Sequence, residues 1–306
     1  MNHQQPSQKE LIVIVGPTAV GKTAIAIKLA QQLKTEIVSA DSRQFYREMS
    51  IGTAKPTADE LLQARHHFID SHSVTESFNV GDFEKQALQL LEELFKTHDK
   101  VIMAGGSGLF IQAVTQGFDE LPVADVGLRN NLNRELAEKG IQFLQEKLKE
   151  ADPVYYEQVD LNNPQRLIRA LEVFETTGTP FSSYRKATTN KRPFHIVKIG
   201  LDLPRDILYQ RINQRVDAMI DQGLVEEVRS LLPYRHLNAL NTVGYNELFD
   251  YLDVKTDLNT AIELIKQNTR RFAKRQLTWF RKDKEVKWYM ADQFGLIDYI
   301  LKELLY

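Results

Sequence analysis

The segment Leu11-Ile-Val-Ile-Val-Gly16-Pro-Thr-Ala-Val-Gly-Lys-Thr23 indicates the fold class of this 306-residue chain. The five consecutive apolar residues Leu11–Val15 are typical of a central parallel strand that is buried on both faces. From Thr23 to Leu33 the apolar residues recur at helical spacing, which predicts a helix directly after the glycine-rich segment. Gly16–Thr23 fits the phosphate-loop pattern G-x-x-x-x-G-K-[ST], and it lies between a strand and a helix, as that pattern requires.

A phosphate loop binds its ligand through successive backbone N–H groups and the positive end of the following helix. Lys22 is expected to neutralise the outer phosphate, and the Thr23 hydroxyl is expected to contact a magnesium ion. The phosphate-contacting residues are therefore Gly16, Pro17, Thr18, Ala19, Val20, Gly21, Lys22 and Thr23. The pattern alone leaves open which phosphate compound the loop holds.

Further strands and helices alternate along the chain. Strand patterns occur at Glu36–Ala40, Lys100–Ala104 and His195–Leu201, and Phe83–Phe95 reads as an amphipathic helix. Strands that alternate with helices indicate a parallel sheet with right-handed crossovers. We therefore predict an α/β fold, a P-loop core whose parallel sheet is flanked by helices.

A mostly helical insertion is expected to interrupt this core. Between residues 121 and 193, helical patterns occur at Leu128–Glu150 and Pro164–Thr177, no convincing strand is present, and Ser182–Pro193 is a polar, basic loop or hinge. The predicted organisation is residues 1–120 for the first part of the core, 121–193 for the insertion, and 194–306 for the second part of the core with a helical, basic C-terminal region.

Composition limits the function classes. The net charge is −2, so binding to nucleic acid would depend on local basic patches. There is no cysteine, which excludes disulfides and cysteine-ligated zinc or iron–sulfur sites. The apolar run near the N-terminus is far shorter than a signal peptide or membrane helix needs. We therefore expect a cytoplasmic protein without a membrane partner.

Asp41 is the acidic residue that stands at the end of a predicted core strand. Such a position opens into the ligand crevice beside the phosphate loop. Asp41 could serve as a general base, as a magnesium ligand, or as the N-cap of the segment that follows it. By contrast, the strand Val101–Ala104 ends in Gly105-Gly106, where ATPases and GTPases usually carry an aspartate that organises magnesium.

A basic segment lies near the C-terminus. Between Lys266 and Lys287 there are nine lysines or arginines and two acidic residues. This charge suits a phosphate backbone, whereas aromatic residues within the segment could stack on unpaired bases. We expect Trp279 and Phe280 to pack on the core instead, and we interpret His66-His67 as structural. Contact with a nucleic-acid backbone is favoured for Arg270, Arg271, Lys274 and Arg275.

Several longer strings follow the phosphate loop in a characteristic order. They are Asp41-Ser-Arg-Gln-Phe-Tyr46, Met49-Ser-Ile-Gly-Thr-Ala-Lys-Pro56, Gly105-Gly-Ser-Gly-Leu109, Asn163-Pro-Gln-Arg-Leu-Ile-Arg-Ala-Leu-Glu172, Thr242-Val-Gly-Tyr245, Thr269-Arg-Arg-Phe-Ala-Lys-Arg-Gln276 and Thr278-Trp-Phe280. Over nearly the whole chain this set resembles the tRNA dimethylallyltransferases, also called tRNA isopentenyltransferases. Without cysteines for the zinc finger that eukaryotic relatives often append, the chain looks like the short bacterial form.

The resemblance implies an activity and a set of catalytic residues. A dimethylallyl group would pass from dimethylallyl diphosphate to the exocyclic N6 amine of the adenosine adjacent to the anticodon in tRNA, and diphosphate would leave. The phosphate loop would then hold the diphosphate with Mg²⁺ at Thr23, and Asp41 would accept the amine proton. Thr18 and Arg215 match positions that contact the diphosphate. The expected partners are the tRNA anticodon loop and dimethylallyl diphosphate, and we expect a monomer.

The resemblance also implies contacts with tRNA. The matching residues are Ser42, Arg43, Gln44, Ser107, Arg129, Gln165, Arg166, Leu167, Ile168, Arg169, Thr242, Val243, Gly244 and Tyr245. Ser107 stands where many relatives have threonine, so the hydroxyl is kept. Arg211 and Arg215 are four residues apart and share one helical face, where a solvated surface or an ion pair is the alternative to a functional role.

Three other functions fit parts of the sequence. A P-loop kinase of a small metabolite or nucleotide would share the strand–loop–helix start and the helical insertion, and it would need ATP. An isopentenyltransferase acting on a free adenine nucleotide would keep the loop and the base but would not need the basic RNA-contacting patches. A non-catalytic RNA-binding or regulatory P-loop protein would leave Asp41 and Arg215 without a role.

Overall fold

The computed structural model describes residues 9–119, 121–122, 125–185 and 190–305. The chain divides into two compact units. The core unit comprises the residues up to Thr115 together with those from Arg192 onward, and the insertion unit is Gln116–Lys191. Residues 186–189 of the predicted basic loop lie outside the described residues.

A parallel sheet forms the centre of the core unit. Its strands are β1 (Glu10–Val15), β2 (Ile37–Ser39), β3 (His66–His67), β4 (Lys100–Ala104), β5 (His195–Asp202) and β6 (Val286–Met290). Their order across the sheet is β3-β2-β4-β1-β5-β6, and all neighbours pair in parallel. The predicted α/β fold with a parallel sheet is confirmed.

Helices account for most of the remaining described residues. In chain order they are α1 (Lys22–Leu33), α2 (Ala58–Gln63), α3 (Val80–Leu94), α4 (Gly108–Gln116), α5 (Val126–Lys139), α6 (Ile141–Ala151), α7 (Pro153–Tyr156), α8 (Pro164–Thr177), α9 (Phe181–Tyr184), α10 (Arg205–Asp221), α11 (Leu224–Ser230), α12 (Tyr245–Leu252), α13 (Leu258–Phe280) and α14 (Leu296–Leu305). Among the described residues, no helix has both the length and the apolar composition that a membrane span requires.

Strand β1 is apolar from Leu11 to Val15 because both of its faces are covered there. Side chains alternate between the two faces of a strand. Leu11, Val13 and Val15 therefore belong to one buried cluster, with Phe83 of α3, whereas Ile12 and Ile14 belong to another, with residues of α1, α10 and α14. This central position places the C-terminal end of β1, and hence the phosphate loop, in the middle of the sheet's carboxyl edge.

A third apolar cluster fixes the helices that follow β5. It joins the end of α10 to α11, α12 and α13 around the fully buried side chains of Tyr245 and Leu248. Helix α13, with 23 residues, is the long helix that carries the predicted basic segment. This cluster holds α10 and α13 against one another beside the phosphate loop.

The insertion unit has a helical core of its own. Leu144, Leu148, Leu167 and Leu171 are fully buried at its centre. The long pattern Leu128–Glu150 is two helices, α5 and α6, because the chain turns at Gly140 with φ of 80°, a left-handed value that favours glycine. Helix α8 begins and ends at the predicted residues, with Asn163 accepting a hydrogen bond from an N–H of the first turn.

Candidate active site

The phosphate loop wraps tightly between β1 and α1. Gly16 has φ of 149°, and a Cβ there would lie 2.6 Å from the carbonyl oxygen of Leu201 on β5. Gly21, with φ of 107°, precedes the first residue of α1. Between them Ala19 has φ of 65°, a left-handed conformation that an alanine rarely adopts. The glycines of the pattern are therefore required by close packing and by backbone conformation.

Lys22 lies against its own loop. Its ammonium group donates hydrogen bonds to the carbonyl oxygens of Gly16, at 3.0 Å, and Pro17, at 2.8 Å. Burial lowers the pKa of Lys22 to about 8; the negative charge of Asp41 opposes this shift, and the positive charge of Arg215 adds to it. A buried ammonium beside a second cation is a site at which an anion is favoured.

Two cavities open beside the loop, both within the core unit. The first, the phosphate-loop cavity, has a volume of about 360 Å³ and is lined by Lys22, Thr23, Lys55 and Glu60 among others. The second, the outer cavity, has a volume of about 340 Å³. Its walls include Ser42, Arg43, Ser107, Thr242, Val243, Gly244, Phe272 and Arg275.

The two cavities meet at a small set of residues. Those that line both are Thr18, Asp41, Thr53, Ala54, Arg215 and Met219. The set includes the three residues to which the resemblance gives catalytic roles, namely Asp41, Arg215 and Thr18. One molecule in each cavity would therefore come together beside a carboxylate, a guanidinium and a hydroxyl.

Thr53, Ala54 and Met219 were not identified as site residues from the sequence. Thr53 and Ala54 belong to the string Met49–Pro56, which contributed to the resemblance without a role. For Thr53 and Ala54, the only indication in the sequence was that this string is shared with the family that the chain resembles. No local pattern distinguishes Met219 from the other apolar residues of α10.

Asp41 is held by the turn that follows it. Its Oδ1 accepts a hydrogen bond from the N–H of Arg43 at 3.0 Å. Residues 42–45 form a turn and not an α-helix, so Asp41 is not a helix N-cap. Next to it, the N–H of Ser42 donates to Ser107 Oγ at 2.9 Å, and Ser107 Oγ donates to Ser42 Oγ at 3.1 Å. The hydroxyl of Ser107 thus braces the Asp41 turn at the wall of the outer cavity.

Gln44 faces the other cavity. Its amide donates to the carbonyl oxygens of Thr53, at 3.2 Å, and Ala54, at 3.1 Å, and its side chain lines the phosphate-loop cavity. Within the described part of the chain, Gln44 is not among the residues that line the outer cavity. Its observed role is to hold the segment that separates the two cavities.

Arg215 and Arg211 differ in their surroundings although both lie on α10. Arg215 is partly buried; burial lowers its pKa, and the carboxylate of Glu60 opposes that shift. Arg211 is exposed, and neither cavity includes it.

The guanidinium of Arg43 donates to the carbonyl oxygen of Asn241 at 3.4 Å, at the edge of the outer cavity.

The string Thr242–Tyr245 splits into two parts. Thr242, Val243 and Gly244 line the outer cavity, where a bound ligand could contact them. Tyr245 is fully buried, and its hydroxyl donates to Glu227 Oε1 at 2.6 Å. Its ring packs against Gly52, where a Cβ would lie 2.6 Å from the ring, and it supports the Met49–Pro56 segment. The RNA contact expected for Tyr245 stays a prediction.

The expected contact residues on α8 also divide by exposure. Gln165 and Arg166 are exposed at the start of the helix, whereas Leu167 and Ile168 are fully buried in the apolar core of the insertion unit. A side chain in that core does not reach a ligand at the surface. The side chains of Leu167 and Ile168 thus have a packing role, and an RNA contact of this segment stays a prediction.

Arg129 and Arg169 are joined by a buried carboxylate. Both guanidinium groups donate to Oε2 of Glu172, at 3.0 Å and 2.9 Å, and Arg169 also donates to the carbonyl oxygen of Pro122 at 2.8 Å. Glu172 is fully buried, so the pair of cations compensates its charge. The carboxylate holds the two arginines side by side at the surface of the insertion unit.

The remaining candidate residues are two aromatic residues near the end of α13 and the histidine pair of β3. Phe280 is buried, as predicted, but Trp279 is 40% exposed, and a Cβ on Gly108 would lie 2.2 Å from its indole nitrogen. His67 contacts the carboxylate of Glu36 at 2.6 Å. Within the described part of the chain, no group of three or more His, Cys, Asp or Glu residues could hold a metal ion. His66, in strand β3, lines the phosphate-loop cavity.

The chain is similar in sequence and in fold to known proteins. A tRNA dimethylallyltransferase of Christiangramia forsetii is 56% identical over 292 residues, covering 95% of this chain and 97% of that protein. The crystal structure of a full-length tRNA isopentenylpyrophosphate transferase from Bacillus halodurans has a TM-score of 0.71 at 39% identity and covers 97% of both chains. A eukaryotic dimethylallyltransferase captured acting on tRNA has a TM-score of 0.76 at 25% identity, covering 97% of this chain and 77% of that one.

The sequence model described as IPP transferase matches residues 44–283, which is most of the chain. The high identity over nearly the full length of the Christiangramia forsetii protein leads to the same assignment. This chain belongs to the IPP transferase family.

Proposed function

We propose that this chain transfers the dimethylallyl group of dimethylallyl diphosphate to the exocyclic N6 amine of the adenosine adjacent to the anticodon in tRNA. The names of its relatives support the reaction class. The observation that carries the proposal is the meeting of the phosphate-loop cavity and the outer cavity at Thr18, Asp41 and Arg215. A reaction between two substrates needs such a junction, because each must reach the other from its own binding site.

The phosphate-loop cavity suits the donor. The backbone N–H groups of the loop, the ammonium of Lys22 and the guanidinium of Arg215 surround a volume of about 360 Å³, which has room for a diphosphate with a five-carbon group. The apolar side chain of Met219 and the methyl of Ala54 lie at the junction, where that group would enter. The diphosphate would thus be held at one end and the reactive carbon presented at the other.

The outer cavity suits the acceptor. Asp41, Ser42, Arg43 and Ser107 form one wall, and Phe272 and Arg275 of the basic helix α13 form another. A base in a tRNA loop can leave its stack and enter such a pocket, where polar groups bind its edge. The basic residues around the cavity entrance would hold the neighbouring phosphates. A tRNA acceptor implies a cytoplasmic enzyme, and we propose that it acts as a monomer.

The chemistry can then be balanced at the junction. The amine lone pair forms the nitrogen–carbon bond to C1 of the dimethylallyl group while the C1–oxygen bond breaks, and the diphosphate leaves with the electron pair. Asp41 accepts the proton that the amine loses, which offsets the weak nucleophilicity of a nitrogen conjugated with the ring. Lys22, Arg215 and the Thr18 hydroxyl stabilise the charge that develops on the diphosphate.

A magnesium ion fits this donor set. The hydroxyl of Thr23 lines this cavity and presents an oxygen ligand of the kind that Mg²⁺ prefers, while the carboxylate of Asp41 acts as the base. A single protein oxygen suits an ion that is held largely by the substrate diphosphate and by water. When bound there, Mg²⁺ would supply further neutralisation of the leaving diphosphate.

The test is transfer of labelled dimethylallyl from its diphosphate, with Mg²⁺ and without ATP, to either unmodified tRNA or adenosine monophosphate. We expect label on an adenine beside the anticodon of tRNA and little on the free nucleotide. Preferential labelling of the free nucleotide would replace the tRNA acceptor by a small one. Absence of transfer, together with ATP consumption in the presence of a small acceptor, would support a kinase and contradict the proposal.

A further inference from the structure

A buried glutamine from the C-terminal half of the chain reaches the phosphate loop. Gln276 of α13 is 6% exposed, and its Oε1 accepts a hydrogen bond from the N–H of Thr18 at 2.8 Å. Its Nε2 donates to the carbonyl oxygen of Gly106 at 2.9 Å. One amide therefore ties the loop after β1 to the turn after β4, and both of its polar ends are satisfied.

The surroundings leave this amide little freedom. A Cβ on Gly106 would lie 2.4 Å from Gln276 Nε2, so the position accepts no larger residue while the amide stays in place. The Thr18 that it holds precedes Ala19, whose left-handed φ of 65° is unfavourable for a residue with a side chain. The loop therefore needs an external restraint to keep its shape when no ligand is bound.

Lys22 and Gln276 restrain the loop at adjacent residues. The ammonium of Lys22 draws in the carbonyl oxygens of Gly16 and Pro17, and Gln276 fixes the next N–H, that of Thr18. When a diphosphate binds, the ammonium of Lys22 would turn toward it and give up its hydrogen bonds to the carbonyl oxygens of Gly16 and Pro17. The Gln276 contact can persist, and it keeps the Thr18 side chain at the junction of the two cavities.

We propose that Gln276 is a positioning residue, which holds the phosphate loop in its diphosphate-binding shape and links it to the basic helix α13. The inference rests on the proposed function, since it takes a diphosphate as the ligand of the loop. Gln276 itself is buried and lines neither cavity, so it acts through Thr18. Arg275, its neighbour on α13, lines the outer cavity. The proposed binding site for the tRNA adenine therefore lies next to the residue that holds the phosphate loop.

The test compares Gln276→Met, which keeps the volume and removes both hydrogen bonds, with Gly106→Ala, which displaces the same amide from the other side. Inorganic diphosphate with Mg²⁺ is titrated calorimetrically, transfer kinetics are measured with both substrates varied, and tRNA affinity is measured by filter binding. We expect each variant to bind diphosphate about tenfold more weakly and to lose kcat, the usual scale for a removed hydrogen bond in a buried site. The tRNA dissociation constant should stay within about twofold of the wild-type value.

The double variant and a matched control make the result specific. Both single changes act on one amide, so their effects on diphosphate affinity should not add in the double variant. Gln267→Met is the control, because Gln267 is exposed on the opposite face of the same helix and should behave like the wild type. Unchanged diphosphate affinity in Gln276→Met, additive losses in the double variant, or a wild-type chain that binds no diphosphate would each overturn the inference.

The kinetic and binding results separate this inference from the proposed function. A wild-type chain that binds diphosphate but transfers no dimethylallyl group would contradict the proposed function alone. The ratio of the diphosphate dissociation constants of wild type and Gln276→Met would still decide the role of Gln276. A variant that loses tRNA affinity while diphosphate affinity is kept would show that Gln276 acts through α13 only, and would overturn its role in the loop.

Discussion

The ionisation of Lys22 predicts how donor use depends on pH. Burial of this ammonium, opposed by the negative charge of Asp41 and assisted by the positive charge of Arg215, lowers its pKa to about 8. The protonated form binds a diphosphate, so donor capture is favoured below this pKa and is lost as the pH rises through it. Once diphosphate is bound, its negative charge favours the ammonium and moves the pKa upward again.

The magnitude follows from the fraction of Lys22 that is protonated in the free enzyme. With a pKa of about 8, that fraction falls from about ten-elevenths at pH 7 to about one-eleventh at pH 9, so kcat/KM for dimethylallyl diphosphate should fall about tenfold. Because the bound complex keeps its proton, the loss should appear as a higher KM for the donor with a nearly constant kcat.

The assay is initial-rate label transfer at saturating tRNA, with donor concentration varied at several pH values between 6.5 and about 9.5, a range chosen to bracket the pKa of the lysine. Lys22→Arg is the control, because a guanidinium stays protonated throughout this pH range. In this variant the change of slope of kcat/KM near pH 8 should disappear, while the other titrating groups are unchanged. A break near pH 8 that persists in Lys22→Arg, or an unchanged KM up to the highest pH, would refute the assignment to Lys22.

Three substitutions, one of them with a matched control, test other residues of the core unit. Asp41→Ala should lower kcat by about two to four orders of magnitude, the usual loss for a general base, with tRNA affinity nearly unchanged in filter binding. Arg215→Ala should lower kcat/KM for the donor by about a hundredfold in steady-state transfer, whereas Arg211→Ala on the same helix should change it less than about twofold. Tyr245→Phe removes the hydrogen bond to Glu227 and should lower the free energy of unfolding in urea by about 1–3 kcal/mol, with the tRNA dissociation constant unchanged.

Each of these substitutions has an outcome that would contradict its reasoning. A large loss of tRNA affinity with intact kcat in Asp41→Ala would make Asp41 a binding residue. Equal losses in the Arg215 and Arg211 variants would indicate a general charge effect and not a contact in the cavity. A Tyr245→Phe variant of wild-type stability with weakened tRNA binding would restore the contact role that its burial argues against.

The parts of the fold that could be predicted depend on residues close together in sequence. Leu11–Val15, the loop and the helix after it form one contiguous pattern, and Asn163, Pro164 and Gly178 mark the ends of α8 locally. Strand β3 is not predicted because two residues show no periodicity, and β6 is not predicted because Val-Lys-Trp-Tyr-Met lacks a clear alternation and lies in a segment that reads as helical. Glycine at 140 broke a helical pattern that looked continuous.

The candidate site divides in the same way. Asp41 could be placed because the ends of parallel strands share one edge of the sheet, a rule that needs no side-chain detail. Gln276 contacts Thr18 of the loop across 258 residues of the chain, and Met219 lines the same cavity as the loop. No local sequence pattern predicts such long-range proximity. Tyr245, Leu167 and Ile168 stand in strings that mark the family, but a string does not reveal which of its residues face inward.

In the proposed reaction, the phosphate loop holds a prenyl diphosphate whose dimethylallyl group passes to tRNA without any nucleotide. The decisive experiment compares the diphosphate released with the dimethylallyl groups found on the adenosine beside the anticodon, in a reaction that contains Mg²⁺ and no ATP. We predict equal amounts of the two products throughout the time course. A requirement for ATP, or release of diphosphate without modification of that adenosine, would contradict it.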